Sequence, residues 1–312
     1  MKRSAEMPGS GGDDSVVVVS GASGLVGRAL VAELLRRGHA VRRLVRRPVR
    51  FEDERRWDPT TGTLDADALR GARAVVHLAG AGIGDQRWTP ARRVEIRESR
   101  VQGTSTLARA MVTMRDPPVW VSGSAIGIYG DRGNEELDET SAAGAGFLAD
   151  VCQEWEAATA PVTASGGRVV LLRTGVVLAR QGGALARQLP LFRLGLGGKL
   201  GHGQQWVSWI ALADEVGAIL HAVDHDDLSG PVNATAPNPV TNAELTSALG
   251  RALHRPTRIA APRRLLEVAL GGQLTDEALL ASQRALPRRL EASGYRFAYP
   301  EITGAIAAAL AD

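Results

Sequence analysis

The sequence predicts an α/β fold built on a doubly wound parallel sheet. Short apolar segments alternate along the chain with segments of helical periodicity, which is typical of parallel strands joined by helical crossovers. The apolar segments VVVV, AVVHLA and VVLL are continuous, as expected of strands that helices cover on both faces. With 312 residues, of which 44% are hydrophobic, the chain can bury one or two substantial cores.

The predicted elements follow one another in a regular order. Residues 1–15 are polar and rich in Gly and Ser, so we expect a disordered tail there. The elements that follow are a strand at 16–21, a helix at 25–37, strands at 39–46 and 72–80, a helix at 95–114, a strand at 118–124, a helix at 147–158 and a strand at 168–178. A further helix is predicted to open near Asp214, with this aspartate as its N-cap.

The composition excludes several classes of protein. Cys152 is the sole cysteine, so neither a disulfide framework nor a multi-thiolate zinc site is possible within one chain, and the histidines show no metal spacing. The net charge of +3 is too small for a nucleic-acid-binding face. No apolar run near the N-terminus is long enough for a membrane span or a signal peptide. We therefore expect a cytoplasmic protein with no metal, no nucleic-acid partner and no membrane partner.

A glycine-rich loop directly follows the first predicted strand and opens the first helix. Gly21 allows a tight turn off the strand, Gly24 lets backbone N–H groups approach a diphosphate, and Gly27 allows close packing of helix on sheet. Strand, loop, helix and second strand in this order indicate a Rossmann-type dinucleotide site, although a purely structural glycine turn would give the same letters. The predicted diphosphate-binding residues are Gly21, Ala22, Ser23, Gly24, Leu25, Val26 and Gly27.

Arginine stands where an NAD-binding protein usually has a carboxylate. About 20 residues beyond such a loop, an Asp or Glu normally binds the ribose hydroxyls. Here the end of the second strand carries Arg46 and Arg47, and a guanidinium group suits a 2′-phosphate. The sequence therefore predicts NADP(H), with Arg46 as the favoured ligand. Arg42, Arg43 and Arg47 fit a solvated arginine cluster equally well.

These features predict two regions. The NAD(P)-binding Rossmann domain is expected at 16–180, and its core also receives later segments at about 205–235. The remainder, 181–312, is expected to form a substrate region, a smaller C-terminal α/β and helical cap that includes a helical domain at about 260–312.

Several motifs together resemble the extended short-chain dehydrogenase/reductase superfamily. Within it the chain is most similar to the nucleoside-diphosphate-sugar epimerase-like proteins with a C-terminal helical domain. The segments that carry the resemblance are SGASGLVG at 20–27, HLAG at 77–80, RWT at 87–89, SRV at 99–101, VSGSAIGIYG at 121–130, RTGVVL at 173–178, the Gly-rich run at 192–203, the segment at 230–242 and the tail motifs SQR and GYRF at 282–284 and 294–297.

The resemblance implies further cofactor contacts. Leu78, Ala79 and Gly80 would pass behind the adenosine ribose, and Val176 would lie near the nicotinamide. Glu95 and Arg100 match positions that approach the cofactor in relatives. Composition alone favours an ion-paired helix surface for these two residues.

The acid–base pair typical of the superfamily is missing. Its members usually work through Tyr-x-x-x-Lys, in which the lysine and the cofactor lower the tyrosine pKa. None of the tyrosines here has a lysine four positions later, and the matching region carries Phe147 and Val151 instead.

The remaining candidate catalytic residues are Ser124, which matches the family serine, Ser122 and Tyr129. All three also fit a structural role, as turn caps and as a loop anchor. Lys199 and His202 in the Gly-rich segment are alternatives that equally fit solvent exposure, and His77 is expected to pack beside the cofactor.

Two main hypotheses follow. The first is an NADP(H)-binding, epimerase-like oxidoreductase that acts on an unidentified small molecule without the usual dyad. The alternative is a non-catalytic, NADP(H)-responsive binding or regulatory protein, and a weaker third possibility is a nucleotide-sugar binder without redox turnover. The substrate, the reaction direction and the oligomeric state stay open at this point.

Overall fold

A mostly parallel eight-stranded sheet forms the centre of the molecule and confirms the predicted fold class. The computed structural model describes residues 16–311, so the predicted tail at 1–15 lies outside the described residues. The strands are β1 (Val16–Ser20), β2 (Ala40–Val45), β3 (Glu54–Asp58), β4 (Thr63–Leu64), β5 (Ala72–His77), β6 (Val119–Ala125), β7 (Glu136–Leu137), β8 (Val169–Thr174), β9 (Val176–Leu178), β10 (Trp206–Val207), β11 (Trp209–Ala211), β12 (Gly230–Ala234), β13 (Val240–Thr241) and β14 (Arg284–Ala285).

The order across the main sheet is β12-β8-β6-β5-β1-β2-β3-β4. Every pair in it is parallel except β3 and β4. Strands β2, β3 and β4 lie on one side of β1, and β5, β6, β8 and β12 lie on the other, so the order in which strands are added to the sheet reverses at β1. Ligands of such sheets bind at this point, beside the carboxyl ends of the strands. Three two-stranded sheets pair β10 with β13, β11 with β9 and β14 with β7.

Helices cover the sheet and build the C-terminal region. They are α1 (Leu25–Arg36), α2 (Pro90–Val112), α3 (Phe147–Ala157), α4 (Ala160–Ala164), α5 (Gly183–Arg193), α6 (Leu212–Asp224), α7 (Asn242–Leu253), α8 (Arg263–Leu270), α9 (Gly272–Leu274), α10 (Arg288–Ala292) and α11 (Ile302–Ala311), with a 3-10 turn at Ile126–Tyr129 and a π-helical turn at Thr275–Leu280. Within residues 16–311 no helix is both long enough and apolar enough to cross a membrane.

The two faces of the sheet bury separate apolar clusters. One contains Leu30 of α1 and Ile219 of α6, both fully buried, together with Leu290 of α10. Tyr295 and Phe297, which follow α10, pack against the same cluster. The other contains Trp57 and Met111. Full burial of side chains of this size contributes about 1.5–3 kcal/mol each, so both clusters stabilise the sheet.

Two predicted boundaries were wrong. Helix α2 begins at Pro90 rather than at residue 95, because Thr89 caps it by accepting a hydrogen bond from the Arg92 amide at 3.1 Å. The predicted strand at 168–178 is interrupted at Gly175: β8 stays in the main sheet, whereas β9 turns away and pairs with β11. The change of direction places the segment after β8 at the carboxyl edge of the sheet.

The prediction that Asp214 caps a helix was also wrong. Ala211 precedes α6, and Asp214 lies within the first turn. Its carboxylate is 2% exposed and accepts hydrogen bonds from the backbone amides of Ala298 and Tyr299 at 2.7 and 2.9 Å. Asp214 therefore binds the C-terminal part of the chain to α6.

Candidate functional site

The glycine-rich loop forms a narrow cradle between β1 and α1. Gly21 has φ +71°, and a Cβ atom there would lie 2.7 Å from the Leu78 carbonyl carbon, so only glycine fits. A Cβ atom on Gly27 would lie 2.2 Å from the Gly21 oxygen. Gly24 precedes α1 and provides no side-chain cap, which leaves the first N–H groups of the helix available to an anion. The predicted residues 21–27 thus form a loop and the first turn of α1, an arrangement that suits a diphosphate.

The structure distinguishes the four arginines of β2 and its end. Arg42 donates to the backbone oxygens of residues 67, 68 and 70, and Arg43 pairs with Asp53 at 2.6 Å. Arg47 pairs with the buried Glu54 at 2.5 Å. Arg46 is exposed and makes no ion pair within residues 16–311. Of the two predicted phosphate ligands, Arg46 is free to bind an anion, whereas Arg47 would first have to leave Glu54.

The predicted segment Leu78–Gly80 directly follows β5. The Leu78 amide donates to the Ser20 oxygen at 3.2 Å, which links this segment to the glycine-rich loop. A Cβ on Gly80 would lie 3.3 Å from the Arg100 guanidinium carbon, and Arg100 is anchored to the oxygens of Ala81 and Ile96, each at 3.0 Å. Arg100 therefore contacts the predicted ribose segment.

Glu95, by contrast, turns toward Arg92. The two side chains form an ion pair at 2.7 Å, and the Glu95 side chain is 59% exposed. In this structure Glu95 belongs to an ion-paired helix surface, the alternative that composition favours.

His77 ends β5 beneath the glycine-rich loop. It is fully buried, and its Nδ1 lies 2.6 Å from the Ser20 hydroxyl. Burial lowers the pKa of His77 to about 3, so the ring is neutral at physiological pH. The Trp57 ring packs edge-on against it at 5.7 Å between centroids. His77 therefore supports the base of the cradle from inside the sheet.

Apolar side chains stand at the two positions that the sequence comparison of motifs predicts to match the family dyad. Phe147 is the first residue of α3, and its ring lies edge-on to Trp88 with the centroids 5.2 Å apart. Val151 is 1% exposed. Neighbouring Cys152 is no substitute nucleophile, because burial raises the pKa of its thiol to about 12.

The side chain of Ser124 belongs to a buried hydrogen-bond network with two charged residues, which could not be predicted from the sequence. Its hydroxyl donates to Glu156 Oε1 at 2.6 Å. Glu156 also accepts two hydrogen bonds from Arg173, at 2.8 and 2.9 Å. Burial by itself lowers the pKa of Arg173, but the hydrogen bonds and the charge of Glu156, together with the contact to Tyr129, raise the pKa above its usual value. Ser124 thus contacts a carboxylate whose position a bidentate arginine fixes.

The other two candidate catalytic residues lie deeper. The hydroxyl of Tyr129 accepts a hydrogen bond from Arg173 at 3.0 Å and lies 2.8 Å from acceptors on Asp138 and Asn233. Tyr129 is 0% exposed, and burial raises the pKa of its hydroxyl. Ser122 is also 0% exposed, and its hydroxyl has no partner within residues 16–311. The hydrogen bonds of Tyr129 match the loop anchor that was its structural alternative, and Ser124, at 4%, is the most exposed of the three candidates.

A second buried carboxyl group contacts the end of β8, two residues before Val176, which is predicted to lie near the nicotinamide. Val176 begins β9 and is half-buried. Two residues earlier, the Thr174 hydroxyl donates to Glu215 Oε1 at 2.7 Å. Glu215 is 1% exposed, and burial raises the pKa of its carboxyl group to about 8. Sequence reasoning missed Glu215, since an acidic pair in a first helical turn is common on protein surfaces.

The remaining alternatives lie on the surface. Lys199 and His202 are both exposed, and His202 Nδ1 accepts a hydrogen bond from the Gln204 amide at 2.9 Å. Within the described residues no group of three or more His, Cys, Asp or Glu side chains is placed to hold a metal ion.

Comparison with known proteins identifies the family. The sequence pattern of the NAD dependent epimerase/dehydratase family matches residues 17–234, and a domain of unknown function, DUF1731, matches residues 261–309. An epimerase family protein of Mycobacterium leprae is 44% identical over 292 residues, which cover 94% of each chain.

Solved structures agree with this assignment. The human epimerase family protein SDR39U1 (isoform 2), crystallised with NADPH, is 34% identical with a TM-score of 0.88 and covers 95% of this chain and 99% of its own. A nucleoside-diphosphate sugar epimerase from Corynebacterium glutamicum is 40% identical with a TM-score of 0.77, over 95% of this chain and 58% of its own. The resemblance that the motifs indicate is confirmed: the chain belongs to the NAD dependent epimerase/dehydratase family, in the subgroup that carries a DUF1731 domain at its C-terminal end.

Proposed function

We propose that the protein binds NADP(H) and acts as an epimerase-like oxidoreductase on a small molecule. The observation that carries the cofactor choice is Arg46 at the end of β2, which is exposed and has no ion-pair partner among residues 16–311, at a place where a carboxylate would favour NAD(H). The presence of NADPH in the human relative supports the same choice.

The residues fit this cofactor. The cradle of Gly21, Gly24 and Gly27 excludes side chains from the place of a diphosphate and offers the N-terminus of α1 to it. Arg46 would hold the 2′-phosphate, and Leu78–Gly80 with Arg100 would border the adenosine ribose. When bound, the nicotinamide would exchange hydride with the substrate.

Ser124 is the residue that we expect to handle the substrate oxygen. Its hydroxyl proton is directed to Glu156, so its oxygen can accept a hydrogen bond from a substrate hydroxyl. Glu156 is the nearest acceptor for a proton that passes through Ser124, and Arg173 keeps it in place. This pair would carry the acid–base function that Phe147 and Val151 cannot supply.

The test uses the purified chain loaded with NADPH. Absorbance at the reduced-nicotinamide band is followed against a panel of carbonyl compounds and sugar nucleotides. We expect slow turnover that Ser124→Ala abolishes without weakening NADPH binding, whereas Ser122→Ala, at a buried site without a hydrogen-bond partner, changes it little.

A non-catalytic, NADP(H)-responsive protein is the second candidate, and the apolar side chains of Phe147 and Val151 favour it. Tight NADPH binding without oxidation by any compound of the panel would support this second function. Absence of binding to either nicotinamide nucleotide would contradict both.

A further inference from the structure

Helix α3 begins without a cap of its own. Gly146 precedes it with φ +112° and offers no side chain to the first amides of the helix. The amide of Leu148, in the first turn, instead donates to Glu277 Oε2 at 2.8 Å. Glu277 belongs to the π-helical turn Thr275–Leu280 of the C-terminal domain. The N-terminus of α3 is thus capped by a carboxylate from a distant part of the chain, where the helix dipole favours negative charge.

Gly146 provides the space for this contact. A Cβ atom on Gly146 would lie 3.1 Å from both the carboxyl carbon and Oε2 of Glu277. Any side chain here would press on the carboxylate and would also strain the backbone, since this φ value favours glycine.

The second oxygen of Glu277 is also bound, which fixes the carboxylate plane. Gln273 Nε2 donates to Glu277 Oε1 at 2.8 Å, and Gln273 Oε1 accepts from Arg93 Nη1 at 2.9 Å. Arg93 lies in α2. A continuous chain of side-chain hydrogen bonds therefore connects α2, the C-terminal domain and the first turn of α3.

This chain of hydrogen bonds ends beside Phe147 and Trp88, whose aromatic rings are in contact. Phe147 directly precedes Leu148, and its ring contacts Trp88, whose Nε1 donates to the Ile83 oxygen at 2.7 Å. We propose that Glu277 is a positioning residue: through the Leu148 amide it fixes the first turn of α3 and so places Phe147 against Trp88. Through Glu277, the DUF1731 domain helps to shape the candidate site. The effect of this contact on catalysis rests on the proposed function.

The contact can be tested without a substrate, by hydrogen exchange of the Leu148 amide in the full chain. Loss of a helix cap usually weakens a helix end about 2- to 30-fold in its opening equilibrium. We expect Glu277→Ala to speed exchange at Leu148 by this factor. Glu277→Gln, which keeps an oxygen acceptor but loses the charge, should restore part of the protection.

Asp276→Ala is the matched control. Asp276 is the neighbouring carboxylate, but its ion pair with Arg263 at 2.8 Å stays within the C-terminal domain. Asp276→Ala should therefore leave hydrogen exchange of the Leu148 amide at its wild-type rate. Unchanged exchange at Leu148 in Glu277→Ala would overturn the proposal. So would a uniform rise over the whole chain that glutamine does not rescue, because this would indicate a general loss of stability.

A second measurement separates this inference from the proposed function. If the carbonyl panel gives turnover, Glu277→Ala should lower kcat while the Kd for NADPH stays unchanged, and an equal effect on both would contradict a positioning role. If the wild-type chain gives no turnover, the proposed function fails, but the exchange experiment still decides the role of Glu277.

Discussion

Replacement of Arg46 should change the cofactor preference of this protein. The arginines around it are engaged: Arg43 pairs with Asp53, and Arg47 pairs with Glu54. Arg46 can bind a 2′-phosphate without loss of any ion pair of the described structure. Its removal should therefore affect NADPH and leave NADH, which lacks the phosphate, almost unaffected.

The size of the effect follows from the exposure of the side chain. A hydrogen bond to a charged group contributes about 1.5–3 kcal/mol, and solvent screening at an exposed site favours the lower part of this range. About 1.5–2 kcal/mol corresponds to a rise of about 10- to 30-fold in the Kd for NADPH. Arg46→Asp should go further, because it adds repulsion of the phosphate and an acceptor for the ribose hydroxyls of NADH.

The assay is a fluorescence titration with NADPH and with NADH at two salt concentrations, since a phosphate contact weakens as salt increases. Arg50→Ala is the control, because Arg50 is another exposed arginine four residues further along. The reasoning is refuted if the wild-type chain binds NADH as tightly as NADPH, or if Arg46→Asp weakens both nucleotides equally.

Three further predictions concern the cradle and the buried charges. Gly27→Ala should weaken NADPH binding and lower the Tm in calorimetry, because the new methyl group would lie 2.2 Å from the Gly21 oxygen; an unchanged affinity would contradict the geometry of the cradle. Glu156→Ala leaves the buried guanidinium of Arg173 unpaired and should cost about 3–5 kcal/mol in urea unfolding, and a loss below 1 kcal/mol would show that the network is open to water. Burial raises the pKa of the Glu215 carboxyl group from its ordinary value of 4.5 to about 8 in the folded chain. As the pH rises, the unfolded chain therefore loses this proton at a lower pH than the folded chain does. Stability should then fall by up to about 1.4 kcal/mol per pH unit between these two values, and Glu215→Gln should flatten this part of a Tm–pH profile.

Much of the fold could be predicted because it depends on local patterns. Continuous apolar runs and a glycine loop identify β1, β5, β6 and β8 wherever they occur. Strand β3, with the sequence ERRWD, was missed because its charges conceal it. Glu54 is buried there only because Arg47 pairs with it, and such a pairing has no signature in one strand.

The glycine-rich loop could be predicted for the same reason, whereas the network of Ser124 could not. Glu156 lies on a predicted helix and Arg173 on a predicted strand, yet nothing in their spacing places both beside Ser124. Only the packing of α3 on β6 and β8 brings them together. Glu277 is a similar case, since a helix cap from another domain leaves no local pattern at the helix that it caps.

The contribution of the C-terminal residues to the main core has a consequence for biosynthesis. Leu290, Tyr295 and Phe297 cover apolar surface of the nucleotide-binding half, and Asp214 receives its two backbone amides from residues 298 and 299. Until residues 290–299 have left the ribosome, the nascent sheet exposes an uncovered apolar face, and the Asp214 carboxylate lacks its two backbone amide donors. The earlier strands therefore cannot complete the main core by themselves, and this face stays open until residues 290–299 pack on it.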